Sequence, residues 1–269
     1  MAPIFTGNKF GFGRVDAAVA TVALPSYLRP DDNGSYLVLA MPLNGNYNDY
    51  AYLYNGGVTQ SSRTWTSNTG AGGVIEFQTS QYKYYNNSFR SYNGTGGAYA
   101  TTTNLTSTDF EFAGDFCIEA WVYIDNGASD TSICGSAKDP SLPSSFNTSA
   151  GIVVRGVGSG LTSALQGGCL GDPFRGNSSW EYGGWHHFAM GRTGNTLYYW
   201  YDGVGAGSVS LTGTYPQSGC QNANYLFLGG TNPYLTATNK NVYINDVRIY
   251  KGINKYTTSF TPPDKMYIG

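Results

Sequence analysis

The sequence predicts an all-β protein, a two-sheet antiparallel jelly-roll sandwich with an extended N-terminal arm. Three observations carry that prediction. Gly 37 and Tyr 23, with Asn, Ser and Thr in every connecting stretch, indicate many short strands joined by tight turns. Apolar residues recur at period two in several segments, and no helical periodicity runs beyond about one turn. At 269 residues the chain can bury a full core, and one large all-β domain or two small domains both fit the length.

Residues 1–33 stand apart from the rest. The stretch MAPIFTGNKFGFGR spaces Phe5, Phe10 and Phe12 with glycine, and Pro25 and Pro30 punctuate the second half of the segment. Nothing there alternates long enough to make a sandwich strand. Such an arm docks either on its own domain or on a neighbouring subunit. The second is the expectation adopted, with Phe5, Lys9, Phe10, Phe12 and Arg14 as the anchoring side chains. The division is therefore 1–33 for the arm and 34–269 for the sandwich. Residues 17–24 (AAVATVAL) imitate a short leader core behind Lys9 and Arg14, but the chain is expected to keep them.

The strand pattern starts at residues 36–43 (YLVLAMPL), where Leu37, Leu39 and Met41 fall on one face. Short segments come next at 52–54, 74–77 and 84–92, closed by a glycine-rich loop at 93–97. Residues 116–124 are the strongest core strand. Phe116, Ile118, Ala120, Val122 and Ile124 alternate with Cys117, Glu119, Trp121 and Tyr123, so both faces carry bulk and the strand must be covered on both sides. Residues 152–155 and 161–165 form one hairpin. Residues 185–192 and 197–201 form another, turned at Thr193-Gly194-Asn195. In the last strand the apolar phase slips between Ile244 and Val247, which predicts a β-bulge at Asn245-Asp246. The whole makes a sandwich of about 12–14 strands.

Charged residues are 12% of the chain, about half the ~25% of an ordinary domain, and the net charge is −2. With no basic run, nucleic-acid binding has no electrostatic basis. No apolar stretch reaches the ~18–20 residues of a membrane-spanning helix, so no membrane insertion is expected. The surface left is Tyr, Asn, Ser, Thr and Gly, which stacks and hydrogen-bonds without strong hydration and suits sugars or neighbouring subunits. Cys117, Cys134, Cys169 and Cys220 show no zinc spacing; they allow three pairings, and four free thiols are expected.

Four stretches, in order, are DFCIEAWVY (115–123), WHHFAMGR (185–192), YYWYDG (198–203) and NVYINDVRIYKGINKYTTSFTPP (241–263). Together they resemble the laminin-G-like, concanavalin A-like lectin–glucanase sandwich domains of tailed-bacteriophage virion proteins, over about residues 35–265. The resemblance implies a non-enzymatic virion structural protein: a capsid-decorating, fibre or tail-associated subunit. Such a protein would be assembled in the host cytoplasm, partnered by other virion proteins, and homo-oligomeric, a trimer being favoured. Its lectin-like sandwich would be displayed on the particle to bind host-surface glycans. A free carbohydrate-binding lectin or adhesin is the alternative, and a glycoside hydrolase ranks third.

Hydrolysis needs two carboxylates about 5–10 Å apart across one cleft. The strand that carries them in glucanase relatives here offers only Glu119, with Trp121 at i+2 and Tyr123 at i+4. Glu119 is instead expected to accept hydrogen bonds from Tyr hydroxyls or backbone. His186 and His187 are the only histidines; as strand neighbours they point to opposite faces and cannot share a metal. No cofactor is expected, calcium at the sandwich rim being the one candidate, from scattered Asp125, Asp130, Asp139 and Asp172. Where the family's loop ends Gly-Asp-Tyr, this chain has Gly97-Ala98-Tyr99 and loses an acid. Sugar binding needs aromatic platforms beside planar polar groups. The loop 171–184 offers Asp172, Arg175, Asn177, Trp180 and Tyr182, and Tyr47, Asp49 and Tyr50 form a second candidate group.

Overall fold

The structure is a computed structural model that describes residues 24–55, 63–94, 97–102, 105, 110–125, 131–137, 149–157, 162–166, 181–211, 225–230 and 240–266. Within them lie β1 (Leu37–Met41), β2 (Trp65–Thr69), β3 (Val74–Gln78), β4 (Ser88–Asn93), β5 (Ala98–Thr102), β6 (Phe116–Ile124) and β7 (Thr131–Ala137). They continue with β8 (Ser149–Val157), β9 (Thr162–Gln166), β10 (Trp185–Thr193), β11 (Thr196–Tyr201), β12 (Val204–Ser210), β13 (Tyr225–Leu228) and β14 (Lys240–Lys251). The larger sheet runs β12-β11-β10-β6-β14-β4-β3, with β1 also paired to β14; the smaller runs β2-β5-β13-β7-β8-β9. All pairings are antiparallel, and the two sheets enclose one core.

β14 organises the larger sheet. Its first half pairs with β4 and its second half with β1, while β6 runs along its other edge. The switch happens at the predicted bulge, where the register against β6 slips between Asn245 and Arg248 and Asp246 takes φ 49°. One extra residue returns Val247 and Ile249 to the core face already used by Val242 and Ile244. The bulge is polar because it leaves backbone groups needing partners. Asn245 accepts from the amides of Lys83 (3.0 Å) and Tyr84 (3.3 Å) and donates to the carbonyl of Asn87 (3.0 Å), sewing a distant loop to the strand.

Both expected hairpins form, β8–β9 and β10–β11. The second turns at Gly194 (φ 57°) and Asn195, a glycine-first two-residue turn that matches strand twist. β11 then turns into β12 through Asp202 (φ 48°) and Gly203 (φ 76°), the Asp-Gly pair that a tight hairpin favours. A Cβ on Gly203 would lie 1.9 Å from the Phe260 carbonyl oxygen, so only glycine admits the C-terminal tail there.

Three expectations are corrected. Residues 52–54 belong to a short helix, α1 (Ala51–Tyr54), not to a strand. The segment expected at 84–92 starts only at Ser88, because Tyr85 and Asn86 turn through positive φ (65° and 53°). In β1 a register shift between Leu37 and Leu39 splits the expected face: Leu39 and Met41 enter the inter-sheet core, while Leu37 joins Ala40 on the outside of the sheet. Strands β2, β5, β7, β12 and β13 carry no sequence signal strong enough to single them out.

A second apolar layer covers the outside of the larger sheet. Leu28, Leu37, Ala40, Ala51, Cys117, Ala189, Trp200, Tyr250, Tyr256 and Met266 are buried there together. Residues 24–36 and 252–266 therefore lie over the sheet and account for the two-sided bulk of β6. The described part of the arm, 24–33, docks on its own domain: Arg29 donates its amide to the Met266 carbonyl (2.9 Å), and Leu28 is buried in the layer. Residues 1–23, with Phe5, Lys9, Phe10, Phe12 and Arg14, lie outside the described residues.

Candidate functional site

The strands of the larger sheet present alternate side chains outward, and two environments share that outer face. One half lies beneath the terminal segments. The other, formed by β3, β4, the start of β14, the end of β6 and the start of β10, carries no such cover among the described residues.

Beneath the cover sits a charged cluster. Glu119 is 0% exposed, with Lys255 Nζ and the Tyr250 hydroxyl each 3.0 Å away, the Tyr256 hydroxyl donating to its other oxygen, and His187 Nε2 at 3.3 Å. Asp31, from the arm, takes the Tyr250 hydroxyl at 2.6 Å and Lys255 at 3.1 Å. Burial opposes the charged form of Glu119, but Lys255, the His187 hydrogen bond and Arg248 outweigh it and hold the carboxyl well below its usual range. Burial lowers His187, so its ring is neutral, and its Nδ1 has no hydrogen-bond partner. Asp246 goes the other way, pushed up to about 6 by burial despite Arg248 and hydrogen bonds from Tyr85 and the Met266 amide. Tyr256 and Phe260 stack in parallel (6°) over Trp200 and His187 and so pin the tail to the sheet. A cavity beside the cluster is lined by Arg29, Arg248 and Lys255 against Asp31, Asp32 and Asp264, so it neutralises itself.

The open half is built differently. Trp185, Tyr123, Tyr243, Arg90 and Glu76 occupy directly opposed positions on β10, β6, β14, β4 and β3, a single row across five adjacent strands. All five are half-buried, and the Glu76 side chain is 41% exposed. Trp185 and Tyr123 have ring centroids 6.0 Å apart, and Tyr123 and Tyr243 5.5 Å. Beside the rings runs a polar strip. Arg90 donates to Glu76 and, at 2.8 Å, to Asn241 Oδ1; Asn241 donates its amide (2.9 Å) and its side chain to Asp125. Burial raises the Tyr243 hydroxyl, so it stays protonated and can donate. Rings for the apolar face of a ligand, next to planar polar groups for its hydroxyls, are what stacking recognition requires.

Of the residues expected to bind sugar, the structure describes Tyr182, Tyr47, Asp49 and Tyr50. Asp172, Arg175, Asn177 and Trp180 lie outside the described residues. Tyr182, at the described end of that loop, packs against the inter-sheet core, and the Gly183 amide donates to the Ile124 carbonyl (3.0 Å), which brings the loop end beside Tyr123 and Trp185. Tyr47 stacks on Trp65 (5.0 Å, 13°) and meets Phe77 edge-on. Asp49 is buried, accepting from the Ala40 and Ala51 amides (2.9 Å each) and paired with Arg63; it fastens β1 to α1. Tyr50 packs edge-on against Tyr27. Asp49 is thereby closed off, whereas Tyr47 and Tyr50 stay half-buried. The row itself was missed because its members come from five strands and only their pairing aligns them.

Glu119 accepts from tyrosines as expected, and its burial removes it from any substrate. His186 and His187 do face opposite ways: His186 lies 2.7 Å from Asp202 and stacks on Tyr201, while His187 lies under Phe260. Cys117 and Cys134 are free and buried, and Cys169 and Cys220 lie outside the described residues. Among the described residues no three His, Cys, Asp or Glu converge as a metal set, and of the calcium candidates only Asp125 is described, bonded to Asn241. No described helix is long and apolar enough to cross a membrane.

Known proteins share this fold. The family model described as the concanavalin A-like lectin/glucanases superfamily, of laminin G type, matches residues 93–253. No curated protein sequence matches the chain. Among solved structures, the binding domain of botulinum neurotoxin serotype C1 is similar at TM-score 0.52 and 10% identity, over 83% of this chain and 50% of that one. The binding domain of botulinum neurotoxin DC in complex with rat synaptotagmin II gives 0.54 and 11%, over 82% and 50%. The DC binding domain in complex with SialylT gives 0.51 and 12%, over 82% and 49%. The chain spans about half the length of these structures, and at such identities the likeness is one of fold.

Proposed function

The chain belongs to the concanavalin A-like lectin/glucanase superfamily, and on that basis we propose that it is a non-enzymatic glycan-binding protein of a tailed-bacteriophage virion. The observation that carries the binding role is the open row Trp185–Tyr123–Tyr243 with its polar strip. The described end of the loop, residues 182–184, borders this face, and the candidates read from the sequence at Asp172, Arg175, Asn177 and Trp180 are kept in this reading. The low charge, the tyrosine-rich surface and the motif resemblance support a place on the particle, among other virion proteins and as a homo-oligomer. Residues 1–23 are the anchor in this reading, since 24–33 already hold the domain together. A free lectin or adhesin is the second reading, favoured by the fold likeness to toxin binding domains.

Glycan-array binding by the wild-type chain, with at least about a tenfold loss in Trp185→Ala, tests the binding role. Binding that survives unchanged in both Trp185→Ala and Tyr243→Ala sinks the row, and no binding to any glycan sinks the role. Removing residues 1–23 separates the two settings. A truncated chain that joins particles at full occupancy refutes the anchor, whereas loss from the particle with glycan binding intact supports it.

A further inference from the structure

We infer that the chain carries a second sugar-binding site, a groove along β12 that seats a pyranose ring of a glycan. β12 ends the larger sheet opposite β3, so the groove lies at the other edge from Glu76. It shares the ligand class of the role proposed above but none of the residues of the row.

The groove encloses about 330 Å³, at the small end of the range for small-ligand sites, and every residue lining it is described. β11 contributes Tyr198 and Trp200, whose rings stack at 5.8 Å and 21°. Trp200 is buried under Tyr256 and Phe260, so it fixes the ring of half-buried Tyr198, and Tyr198 supplies the accessible aromatic surface. The tail contributes exposed Thr257, Thr258 and Ser259. The Phe260 amide, bonded to the Gly203 carbonyl at 2.9 Å, holds that side in place. β12 itself adds Gly205, Gly207 and Ser208, all exposed.

The glycines explain why the groove is open. Glycine weakens a strand, and inside one it marks a bulge, a bend, or the close approach of a ligand or another backbone. Gly207, at φ 140°, serves the bulge where the register against β11 shifts between Tyr199 and Trp200. Gly205 lies outside the left-handed region, and a Cβ there would meet no described atom within 4 Å. It is directly opposed to Trp200, so a side chain at 205 would stand on the same face, inside the groove. Neither backbone nor packing accounts for this glycine, whereas a ligand does. The chemistry around it suits a sugar: the C–H face of a pyranose lies on Tyr198, and its hydroxyls meet Ser and Thr hydroxyls that both donate and accept. Because the ring and the tail are already fixed, binding costs little ordering.

The test is an oligosaccharide array, including lactose, maltotriose and N-acetylchitotriose, probed with wild type, Gly205→Val, Tyr198→Ala and Trp185→Ala, with the Tm and sedimentation of each protein. The expected result is a glycan whose affinity falls at least about tenfold in both Gly205→Val and Tyr198→Ala but holds in Trp185→Ala. Gly205→Val should melt no lower than wild type, because valine suits a strand. If it does melt lower, Tyr198→Ala decides, and undiminished binding by that variant overturns the site. Glycans lost in Trp185→Ala alone overturn the groove and leave the open row standing. No binding by wild type to any glycan defeats the groove and the proposed role together. A Gly205→Val protein that changes oligomeric state yet binds every glycan as wild type does gives the groove to a second copy of the chain, and the sugar site falls.

Discussion

Glu119 and Tyr123 sit four residues apart on one face of one strand, yet they belong to opposite environments. Around Glu119 the sheet is sealed by the arm and the tail, and its carboxylate is answered from far away in sequence by Arg248 and Lys255, with Asp31 sharing Lys255. Around Tyr123 the neighbours are cross-strand rings and a polar strip left half-open. Strand sequence therefore does not decide which part of a face is core and which is available for binding. Covering segments decide it, and here residues 24–36 and 252–266 are both spent on one half.

The largest effect expected from this contrast is at Glu119. Glu119→Ala leaves Lys255 and Arg248 buried without their shared carboxylate and should cost about 3–5 kcal/mol in denaturant unfolding. A loss below about 1 kcal/mol would mean that the covered half is not held by charge.

A smaller effect concerns pH. Asp246 has a folded pKa of about 6, above the ordinary aspartate value of 3.8, so between those values the folded state binds the extra proton. Its contribution is therefore present at low pH and is lost as pH rises through about 6. Asp246→Asn keeps a residue that tolerates φ 49° and should remove that slope. Relative to the variant, wild type should lose on the order of 2 kcal/mol between the two ends of the window. His187, lowered by burial, tilts the other way in both proteins and cancels in the difference. Parallel stability–pH curves would refute the assignment.

The smallest effect belongs to the open half. Tyr243→Ala should cost no more than about 1 kcal/mol of stability, the scale of a cross-strand pair, while weakening glycan binding. A loss as large as that of Glu119→Ala would show that the open half is core after all.

Much of the larger sheet was legible in the sequence. The alternation along Phe116–Ile124, the Trp185–Tyr201 hairpin and the phase slip at Asn245-Asp246 are local patterns, and burial on both faces sharpened them. The smaller sheet was mostly silent because its interior uses small polar residues. Ser136 donates to the Phe110 carbonyl and Thr102 accepts the Leu226 amide, so they are buried without apolar periodicity. β12, VGAGSVS, has too little bulk to announce itself in the sequence. The sugar-site expectation at Tyr47, Asp49 and Tyr50 followed sequence proximity; the structure buries Asp49 between β1 and α1 and leaves Tyr47 and Tyr50 half-buried against Trp65 and Tyr27.

Period and phase along the chain were enough to specify the strands of the larger sheet and the bulge that lets β14 serve two neighbours. They also marked Glu119 as a hydrogen-bond acceptor without a second acid beside it. All of these are properties of consecutive residues. It took the folded chain to show that residues 24–33 fasten the domain, that Glu119 is sealed, and that Trp185, Tyr123, Tyr243, Arg90 and Glu76 form one row. Those outcomes depend on register between strands distant in the chain and on which segment lies over which, and neither is written in any local stretch.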